Sequence, residues 1–342
     1  MKSTHLYILY GVLALAVVLL FASNILFGSV SIPFDVFADI LSGKGAEHEK
    51  WGVIITASRF PQAVTALLAG AALAVSGLML QTLFNNPLAD PSILGVSSGA
   101  GLGVALVMLL FGINGVHLGL SGYLSVVAGA MVGAMVVLGL LILFSMIVKS
   151  NVMLLVVGIM VGYIASSVIS LLNFYATESG VVSFVMWGMG DFSGVSNRNL
   201  LYFVIFILSG LFISVMLIKP LNALLLGERY SRNLGVSLTR ARIIILLVTG
   251  LLTAIVTAFC GPVSFIGLAV PHIARLLLGS SNHRQLLPVT VLLGAVVSLL
   301  CNLLTVVIGK GTVIPLNVIT PLMGAPVIIY VIVNKKKIAY FN

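Results

Sequence analysis

Residues 243–274 read IIILLVTGLLTAIVTAFCGPVSFIGLAVPHIA and contain no Asp, Glu, Lys or Arg. An uncharged run of this length can cross a membrane once as a long helix or twice as two short helices. Pro262 has no amide hydrogen and its ring clashes with the preceding helical turn, while Gly261 lets the chain bend. We therefore predict a helix over 243–260 and a second over 263–280. This one break changes the number of crossings in the whole chain from nine to ten.

The composition is that of a protein embedded in lipid. Of the 342 residues, 60% are hydrophobic and only 7% are Asp, Glu, Lys or Arg, whereas a soluble domain has about 25% charged residues. The long apolar runs also lack the alternation that is typical of barrel strands. The composition excludes a soluble enzyme, a DNA-binding protein, a disordered chain and an outer-membrane barrel. It predicts an all-α polytopic membrane protein surrounded by a lipid bilayer.

Uncharged runs elsewhere in the chain mark the remaining crossings, because a charge at the bilayer centre costs about 2.5–3.5 kcal/mol. The runs that are long enough to cross cover residues 3–34, 60–89, 91–148, 150–177, 199–218, 285–309 and 311–334. The run 91–148 has room for two helices, and we predict a break between them near Gly112–Gly122.

The distribution of Lys and Arg decides between nine and ten crossings. With ten crossings and a cytoplasmic N-terminus, twelve of the 17 Lys and Arg residues lie inside and five lie outside. With nine crossings the count becomes eight inside and nine outside, which contradicts the usual excess of positive charge in cytoplasmic loops. We therefore predict ten transmembrane helices with both termini in the cytoplasm. The same excess accounts for the net charge of +9, so we predict no nucleic-acid partner.

We predict a single transmembrane domain over residues 1–342, with an outer loop at 29–59 and a cytoplasmic loop at 219–242. Small residues recur at four-residue spacing in several spans, which lets helix backbones approach closely. These close-packing faces contain Gly95, Gly99 and Gly103, Gly129 and Gly133, and Gly158 and Gly162. A compact bundle with many buried helix contacts is the expected result.

One motif matches a hydrolase pattern by its letters. Residues 95–99 read GVSSG and match the G-x-S-x-G pattern of serine hydrolases, and an intramembrane protease could pair Ser97 with His272. The hydrolase pattern requires a strand before the serine, whereas this segment opens a transmembrane helix after Pro91. We favour a helix-packing face over a nucleophile.

The sequence has no signature of ion coupling or of nucleotide binding. All eight Asp and Glu residues fall in predicted loops, although ion-coupled carriers usually place carboxylates inside the membrane. Gly309 and Lys310 do not form a phosphate-binding loop, because Leu304 and Gly311 stand where the pattern requires a glycine and a Ser or Thr. Metal-ligand spacings are absent from the sequence. We expect the energy source on another subunit, and a stand-alone secondary transporter is the competing class.

The longest cytoplasmic loop offers a surface to such a subunit. Leu221, Leu224 and Leu225 are spaced as one helical face, Gly227 is a stop signal and Gly235 ends a second short turn. The pattern fits a short amphipathic helix pair that docks a partner. It fits equally well a solvated loop that orients the protein by its charge.

Ordered blocks of the chain resemble the FecCD-type permeases. The blocks are RFP (59–61), LLAGAALAVSG (67–77), NPLADP (86–91), LGVSSGA (94–100), FIGLAVPHIARL (265–276) and HRQLLP (283–288). The resemblance covers about residues 55–330. It implies the ten-helix bundle of type II ABC importer permeases, in the cytoplasmic (inner) membrane of a bacterium.

The resemblance also implies partners. Two permeases, identical or different, pair around a central path, with two ABC ATPase subunits below and an extracytoplasmic substrate-binding protein above. ATP and Mg²⁺ bind to the ATPase subunits. The chain itself is then a transport subunit that is not an enzyme and holds no cofactor or metal.

Three groups of residues take roles by their match to the family. The segment that couples to the ATPase contains Leu226, Gly227, Glu228, Arg229, Ser231, Arg232, Leu234 and Gly235. The cytoplasmic gate contains Asn85, Asn86, Pro87, Leu88, Ser150, Asn151 and Val152. The residues that dock the binding protein are Arg59, Gln62 and Lys310. Gln62 stands where the family often has a second arginine, which lowers the positive charge available for docking.

The substrate implied by the resemblance is a metal chelate. We expect a ferric siderophore first, because most of the family handles one. Cobalamin or a corrinoid precursor, haem and an oxyanion are the alternatives.

Overall fold

The computed structural model describes residues 3–30, 32–33, 36, 49–110, 119–148, 150–233, 235, 237–309 and 312–333. Within these ranges the regular structure is helical and contains no strand. The first half contains α1 (Ser3–Leu26), α2 (Glu49–Ile54), α3 (Phe60–Leu83), α4 (Val96–Ala105), α5 (Gly119–Ile147), α6 (Asn151–Tyr175) and α7 (Glu178–Gly188). The second half contains α8 (Asn197–Met216), α9 (Ile218–Leu225), α10 (Glu228–Asn233), α11 (Leu238–Cys260), α12 (Ile266–Leu278), α13 (His283–Val307) and α14 (Leu316–Val333). A π-helical turn joins α2 to α3 at Ile55–Arg59, and another extends α4 at Leu106–Leu110.

Seven helical stretches of the described residues are long and apolar enough to cross a membrane. They are His5–Leu26, Lys50–Leu83, Gly122–Ile147, Asn151–Tyr175, Asn197–Met216, Leu238–Cys260 and His283–Val307. Three shorter apolar helices accompany them, at Val96–Leu110, Ile266–Leu278 and Leu316–Val331. The prediction of an all-α, multi-pass membrane protein is confirmed. Ten crossings and cytoplasmic termini remain predictions.

The break predicted within 243–274 is confirmed. α11 ends at Cys260 and α12 begins at Ile266. Gly261 has a φ angle of 72°, in the region that favours glycine, and a methyl group there would lie 2.4 Å from the carbonyl oxygen of Trp187. The bend therefore requires glycine as well as the proline that follows it.

A distant asparagine pairs the backbone of this break. The side-chain amide of Asn317, at the start of α14, donates to the carbonyl oxygens of Pro262 at 2.6 Å and Gly188 at 3.1 Å. Its side-chain oxygen accepts a hydrogen bond from the amide of Ser264 at 3.1 Å. Backbone groups that lipid could not satisfy are thereby paired within the protein.

α3 lies at the centre of the bundle and packs against α13, α11, α12 and α8. It approaches α12 so closely that a methyl group on Gly77 would lie 1.8 Å from the carbonyl oxygen of Gly267. Towards α13, a methyl group on Gly70 would lie 2.3 Å from the carbonyl oxygen of Gly294. Backbone contact at glycine therefore fixes the position of α3 between its neighbours.

The predicted glycine faces are confirmed where α4 crosses α5. A methyl group on Gly103 would lie 1.9 Å from the carbonyl oxygen of Gly129, and one on Gly133 would lie 2.0 Å from that of Gly99. The four-residue spacing thus corresponds to two successive contacts along one crossing.

The run 91–148 contains two helices, as predicted. They are α4 with its π-helical turn, and α5. Of the predicted break near Gly112–Gly122, residues 111–118 lie outside the described part of the chain.

The structure adds a short helix, α7, in a stretch that the sequence predicts to be a loop. The hydroxyl of Thr177 accepts a hydrogen bond from the amide of Gly180 at 3.3 Å, and Glu178 lies in the first turn. Both features favour a helix start. The 11 residues of α7 are too few to cross a membrane, and the helix packs against the π-helical turn after α4.

We name the two ends of the bundle after the sides that the charge distribution predicts. The inner end carries the end of α3, the start of α6, and α9 and α10. The outer end carries the end of α1 and the start of α3. At the inner end, Arg242 of α11 donates to the carbonyl oxygen of Val148 at 3.0 Å, just beyond α5.

Candidate gating and coupling site

A cavity of about 530 Å³ lies at the inner end and is called the inner cavity below. Its lining combines both stretches of the predicted gate, at Asn85 and at residues 150–152, with residues 224–227 at the end of α9. Leu226 and Gly227 of the predicted coupling segment belong to that last group. The fold therefore brings the predicted gate and the start of the predicted coupling segment to one place.

The first gate stretch is a tight turn after α3. Asn85 has a φ angle of 45°, which asparagine tolerates better than most residues, and the side-chain oxygen of Asn86 accepts from the amide of Leu88 at 2.9 Å. The carbonyl oxygen of Pro87 accepts from Nε2 of His272 on α12 at 2.7 Å, so this ring nitrogen carries a proton. The turn is therefore attached to α12, while Asn85 and Leu88 are exposed.

The second gate stretch is the start of α6. Ser150 caps the helix, because its hydroxyl oxygen accepts from the amide of Met153 at 3.4 Å. The side-chain amide of Asn151 donates to the carbonyl oxygen of Leu83 at 2.8 Å, and Val152 is exposed beside it. A hydrogen bond between α6 and the end of α3 thus joins the two gate stretches.

The predicted coupling segment folds as two short helices, in agreement with its sequence pattern. α9 buries Leu221, and Gly227, with a φ angle of 90°, separates α9 from α10. The buried hydroxyl of Ser231 donates to the carbonyl oxygen of Ala223 at 2.7 Å, which holds α10 against α9. Gly235, with a φ angle of 80°, follows α10.

Two large apolar side chains are exposed on the described part of this helix pair, beside the exposed polar residues Lys219 and Asn233. Leu226 is 59% exposed and Tyr230 is 65% exposed. The structure describes only the backbone of Glu228, Arg229 and Arg232. Leu234 lies outside the described residues. Tyr230 is not among the residues predicted from the sequence. The signal that could have found it is an aromatic residue among charged neighbours in a short amphipathic segment.

Polar side chains behind the gate are buried and paired. Arg275 donates from Nη1 to Oε1 of Gln81 at 2.6 Å, and Gln81 donates to the carbonyl oxygen of Leu268 at 3.3 Å. Asp90, in the connection between α3 and α4, accepts from the amide and the hydroxyl of Ser92 at 2.8 and 2.6 Å. Burial raises the pKa of the Asp90 carboxyl above its ordinary value, and the hydrogen bonds from Ser92 oppose only part of this rise.

Arg59, predicted to dock a binding protein, is directed into the protein. It is 4% exposed, and its Nη1 donates to the carbonyl oxygens of Ile25 and Leu26 at 2.8 and 2.6 Å. Its Nη2 donates to the carbonyl oxygen of Val30. The guanidinium group therefore caps the end of α1, which differs from the exposed arginine that contact with a binding protein requires.

The second predicted docking residue belongs to a polar chain at the outer end. Gln62 donates to the side-chain oxygen of Asn302 at 3.1 Å, and Asn302 donates to that of Asn24 at 2.7 Å. Together with Arg59, these residues line an outer cavity of about 220 Å³. Lys310, the third predicted docking residue, lies outside the described part of the chain.

The two residues of the protease hypothesis each have another hydrogen-bond partner. Oγ of Ser97 lies 3.4 Å from Oγ1 of Thr257, whereas His272 is bonded to Pro87 in the gate turn. Among the described residues, no group of three or more His, Cys, Asp or Glu side chains is placed to hold a metal ion.

Known proteins are similar to this chain over most of its length. The profile of the FecCD transport family matches residues 15–334. The chain belongs to the FecCD transport family. The FecCD match includes the inner cavity and the α9–α10 pair, so this membrane protein is a transport component.

Named relatives of this FecCD chain agree with the match. The vitamin B12 import system permease protein BtuC of Citrobacter koseri is 36% identical over 281 residues, which cover 82% of each chain. BtuC of Salmonella typhi is 36% identical over 301 residues, which cover 87% of each chain. A solved structure, described as an inward-facing conformation of a metal-chelate type ABC transporter, matches with a TM-score of 0.82 and 32% identity over 96% of this chain and 99% of the other.

Proposed function

We propose that this chain is the permease subunit of an ATP-driven ABC importer in the cytoplasmic membrane of a bacterium. The observation that carries the proposal is the inner cavity, where the two gate stretches meet the end of α9. A movement of α9 acts directly on the residues that would close the transport path. The sequence has no phosphate-binding loop, so ATP hydrolysis falls to two separate ABC ATPase subunits.

The α9–α10 pair is the surface we assign to the ATPase. Leu226 and Tyr230 project from it, and side chains of this kind anchor protein interfaces when charged residues surround them. Glu228, Arg229 and Arg232 belong to the same segment. The hydrogen bond from Ser231 makes α9 and α10 move together when the ATPase dimer closes.

α6 is the helix we place against the transport path. Ser166, Ser167 and Ser170 are exposed in the second half of this apolar helix, where contact with lipid would favour apolar side chains. In contrast, the exposed residues of α1 between Ile8 and Ala22 are all apolar, as a lipid-facing surface requires. A second permease, identical or different, would complete the path opposite α6.

The proposal includes ten crossings with both termini in the cytoplasm. It counts the three shorter apolar helices as crossings in addition to the seven long ones. Short crossings are stable when the protein pairs their ends, as Asn317 does at the break between α11 and α12. Ten crossings also place most of the positive charge on the cytoplasmic side.

The substrate we propose is a metal chelate, with cobalamin as the first candidate. The relatives named as vitamin B12 permeases cover 82% and 87% of this chain, which favours cobalamin over the ferric siderophore expected from the sequence. A ferric siderophore and haem are the alternatives to be tested beside it. An extracytoplasmic binding protein delivers the chelate to the outer end.

Uptake into liposomes tests this function. The chain is reconstituted with its ATPase and binding protein, and labelled cobalamin, ferric siderophore and haem are offered separately. We expect one of them to accumulate with ATP but not when the ATPase lacks its phosphate-binding lysine. Accumulation that ignores ATP contradicts the proposal and favours a secondary transporter. Accumulation of none of the three contradicts the metal-chelate assignment.

A further inference from the structure

His283 forms a buried bridge between α9 and α3. Its side chain is fully buried at the start of α13. Its Nδ1 lies 2.9 Å from Oδ1 of Asn222 on α9, and its Nε2 lies 2.8 Å from Oγ1 of Thr82 on α3. One imidazole ring thus connects the helix assigned to the ATPase with the helix that ends at the gate.

The neighbours of Asn222 fix the direction of these hydrogen bonds. Asn222 donates from Nδ2 to Oδ1 of Asn282 at 3.0 Å, and the same oxygen accepts from the amide of Arg284 at 3.0 Å. Oδ1 of Asn222 therefore faces His283, where it accepts from the backbone amide at 2.8 Å and from Nδ1. Because an amide oxygen only accepts, Nδ1 of His283 carries a proton.

The second ring nitrogen of His283, Nε2, faces the hydroxyl group of Thr82. In a neutral ring that is protonated on Nδ1, Nε2 is an acceptor, and the hydroxyl of Thr82 donates to it. Thr82 also has the carbonyl oxygen of Leu78 within its own helix, at 2.9 Å, as a second acceptor. The hydroxyl therefore stays paired if His283 moves away, as a contact that breaks and re-forms requires.

Thr82 is directly connected to both gate stretches. Its carbonyl oxygen accepts from the amide of Asn85 at 3.3 Å, and both residues line the inner cavity. The next residue, Leu83, accepts the hydrogen bond of Asn151. A displacement of Thr82 therefore displaces the gate turn and the start of α6 together.

We propose that His283 is a positioning residue that transmits the movement of α9 to the end of α3 and so to the gate. This inference rests on the proposed function, because an ATPase must dock on α9 and α10 to move them. Two buried, directional hydrogen bonds suit the task, since a slip between α9 and α3 would leave Nε2 of His283 without its donor in apolar surroundings.

The test measures substrate transported per ATP hydrolysed by the complete importer in liposomes. Thr82→Val removes the hydroxyl and keeps the shape of the side chain. The matched control, Thr290→Val, removes a fully buried hydroxyl of α13 that donates to Leu286 of its own helix. We expect Thr82→Val to lower transport per ATP about fivefold, the effect of one lost hydrogen bond, with the rate of ATP hydrolysis kept within about twofold. The control, Thr290→Val, should transport as much substrate per ATP as the wild type.

Variants at His283 separate the two halves of the bridge. Asparagine at this position keeps a donor near Asn222 but does not reach Thr82, whereas glutamine reaches towards Thr82. We expect His283→Asn to uncouple transport as Thr82→Val does, and His283→Gln to restore part of the coupling. Combining Asn222→Ala with Thr82→Val should lower coupling no further than the stronger single change, because both break one connection.

Three results would overturn the bridge. The first is that Thr82→Val and Thr290→Val transport the same amount of substrate per ATP. The second is that ATP hydrolysis and uptake fall together in Thr82→Val, so that their ratio is unchanged. The third is that the double variant loses the sum of the two single losses. A wild-type complex without ATP-driven uptake would instead contradict the proposed function. Hydrogen exchange in the isolated permease then still tests the bridge. Asn222→Ala should raise exchange of the amides of Asn85, Asn86 and Leu88 about fivefold over Thr290→Val, and equal exchange would overturn it.

Discussion

The side-chain amide of Asn151 lies 2.8 Å from the carbonyl oxygen of Leu83, so the first turn of α6 caps the last turn of α3. The final carbonyl groups of a helix have no partner within the helix. Here a residue from the other gate stretch supplies one. The two gate stretches are therefore positioned by a hydrogen bond between separate spans as well as by packing.

Replacing Asn151 by Ala should make the gate leak. The lost hydrogen bond contributes about 1 kcal/mol, so ATP-independent efflux of substrate from preloaded liposomes should rise about fivefold. Ser209→Ala is the control, because Ser209 of α8 donates only a local bond to Phe206. Equal efflux in the two variants would contradict the role of Asn151.

Gly77→Ala should destabilise the bundle strongly. The new methyl group would lie 1.8 Å from the carbonyl oxygen of Gly267, and two backbones in contact cannot move apart without repacking. We expect a loss of about 3 kcal/mol or more, measured as thermal unfolding in detergent. Gly139→Ala on α5 is the matched control, because no atom lies within 4 Å of its added methyl group. This variant should unfold at the temperature of the wild type.

Arg59→Lys should lower stability without altering the contact with a binding protein. Lysine keeps the charge but cannot form the planar fork that reaches the carbonyl oxygens of Ile25 and Leu26. We expect a loss of about 2–3 kcal/mol in unfolding free energy. Binding of the substrate-binding protein to the folded fraction should be unchanged, and weaker binding at wild-type stability would restore the docking role.

Removing the outward apolar side chains of the α9–α10 pair should weaken assembly with the ATPase. The double change Leu226→Ala and Tyr230→Ala should raise the dissociation constant at least about tenfold, because exposed anchors of this kind each contribute about 1–2 kcal/mol. Leu322→Ala is the control, since Leu322 is 68% exposed on α14, away from this pair. An unchanged dissociation constant would place the ATPase elsewhere.

Asp90→Asn should stabilise the protein in a pH-dependent way. Burial raises the pKa of Asp90 from its ordinary value of 3.8, so the wild type loses stability as pH rises from that value through the raised pKa. Asparagine keeps an oxygen for Ser92 and carries no charge. At pH values above the raised pKa, the unfolding temperature of the Asp90→Asn variant should exceed that of the wild type. The difference should vanish as pH falls below 3.8. A difference that is independent of pH would contradict this explanation.

Local chemistry explains which parts of the fold could be predicted. The break at Pro262 follows from a missing amide hydrogen and a steric clash within one turn, so the sequence alone places it. The spacing of Gly99 and Gly103 is also a local feature, because small residues four apart lie on one side of a helix and let another backbone approach. The sequence does not identify the partner of that face, because Gly129 and Gly133 belong to another span with the same spacing.

The contacts that complete the site could not be predicted, because they join residues far apart in the chain. No local pattern links Asn222 to His283 or Asn151 to Leu83. Arg59 shows a different limit, since a motif selects an arginine without indicating whether its side chain points outward or into the bundle.

The hydrogen bonds of Asn317 impose an order on the synthesis of this protein. A ribosome synthesises residue 317 only after it has made α11, the break and α12. Until then the carbonyl oxygens of Gly188 and Pro262 lack the amide that pairs them in the finished fold, and lipid tails offer no replacement. Until α14 is made, water or another protein must therefore pair these two oxygens, and the arrival of α14 replaces that temporary partner.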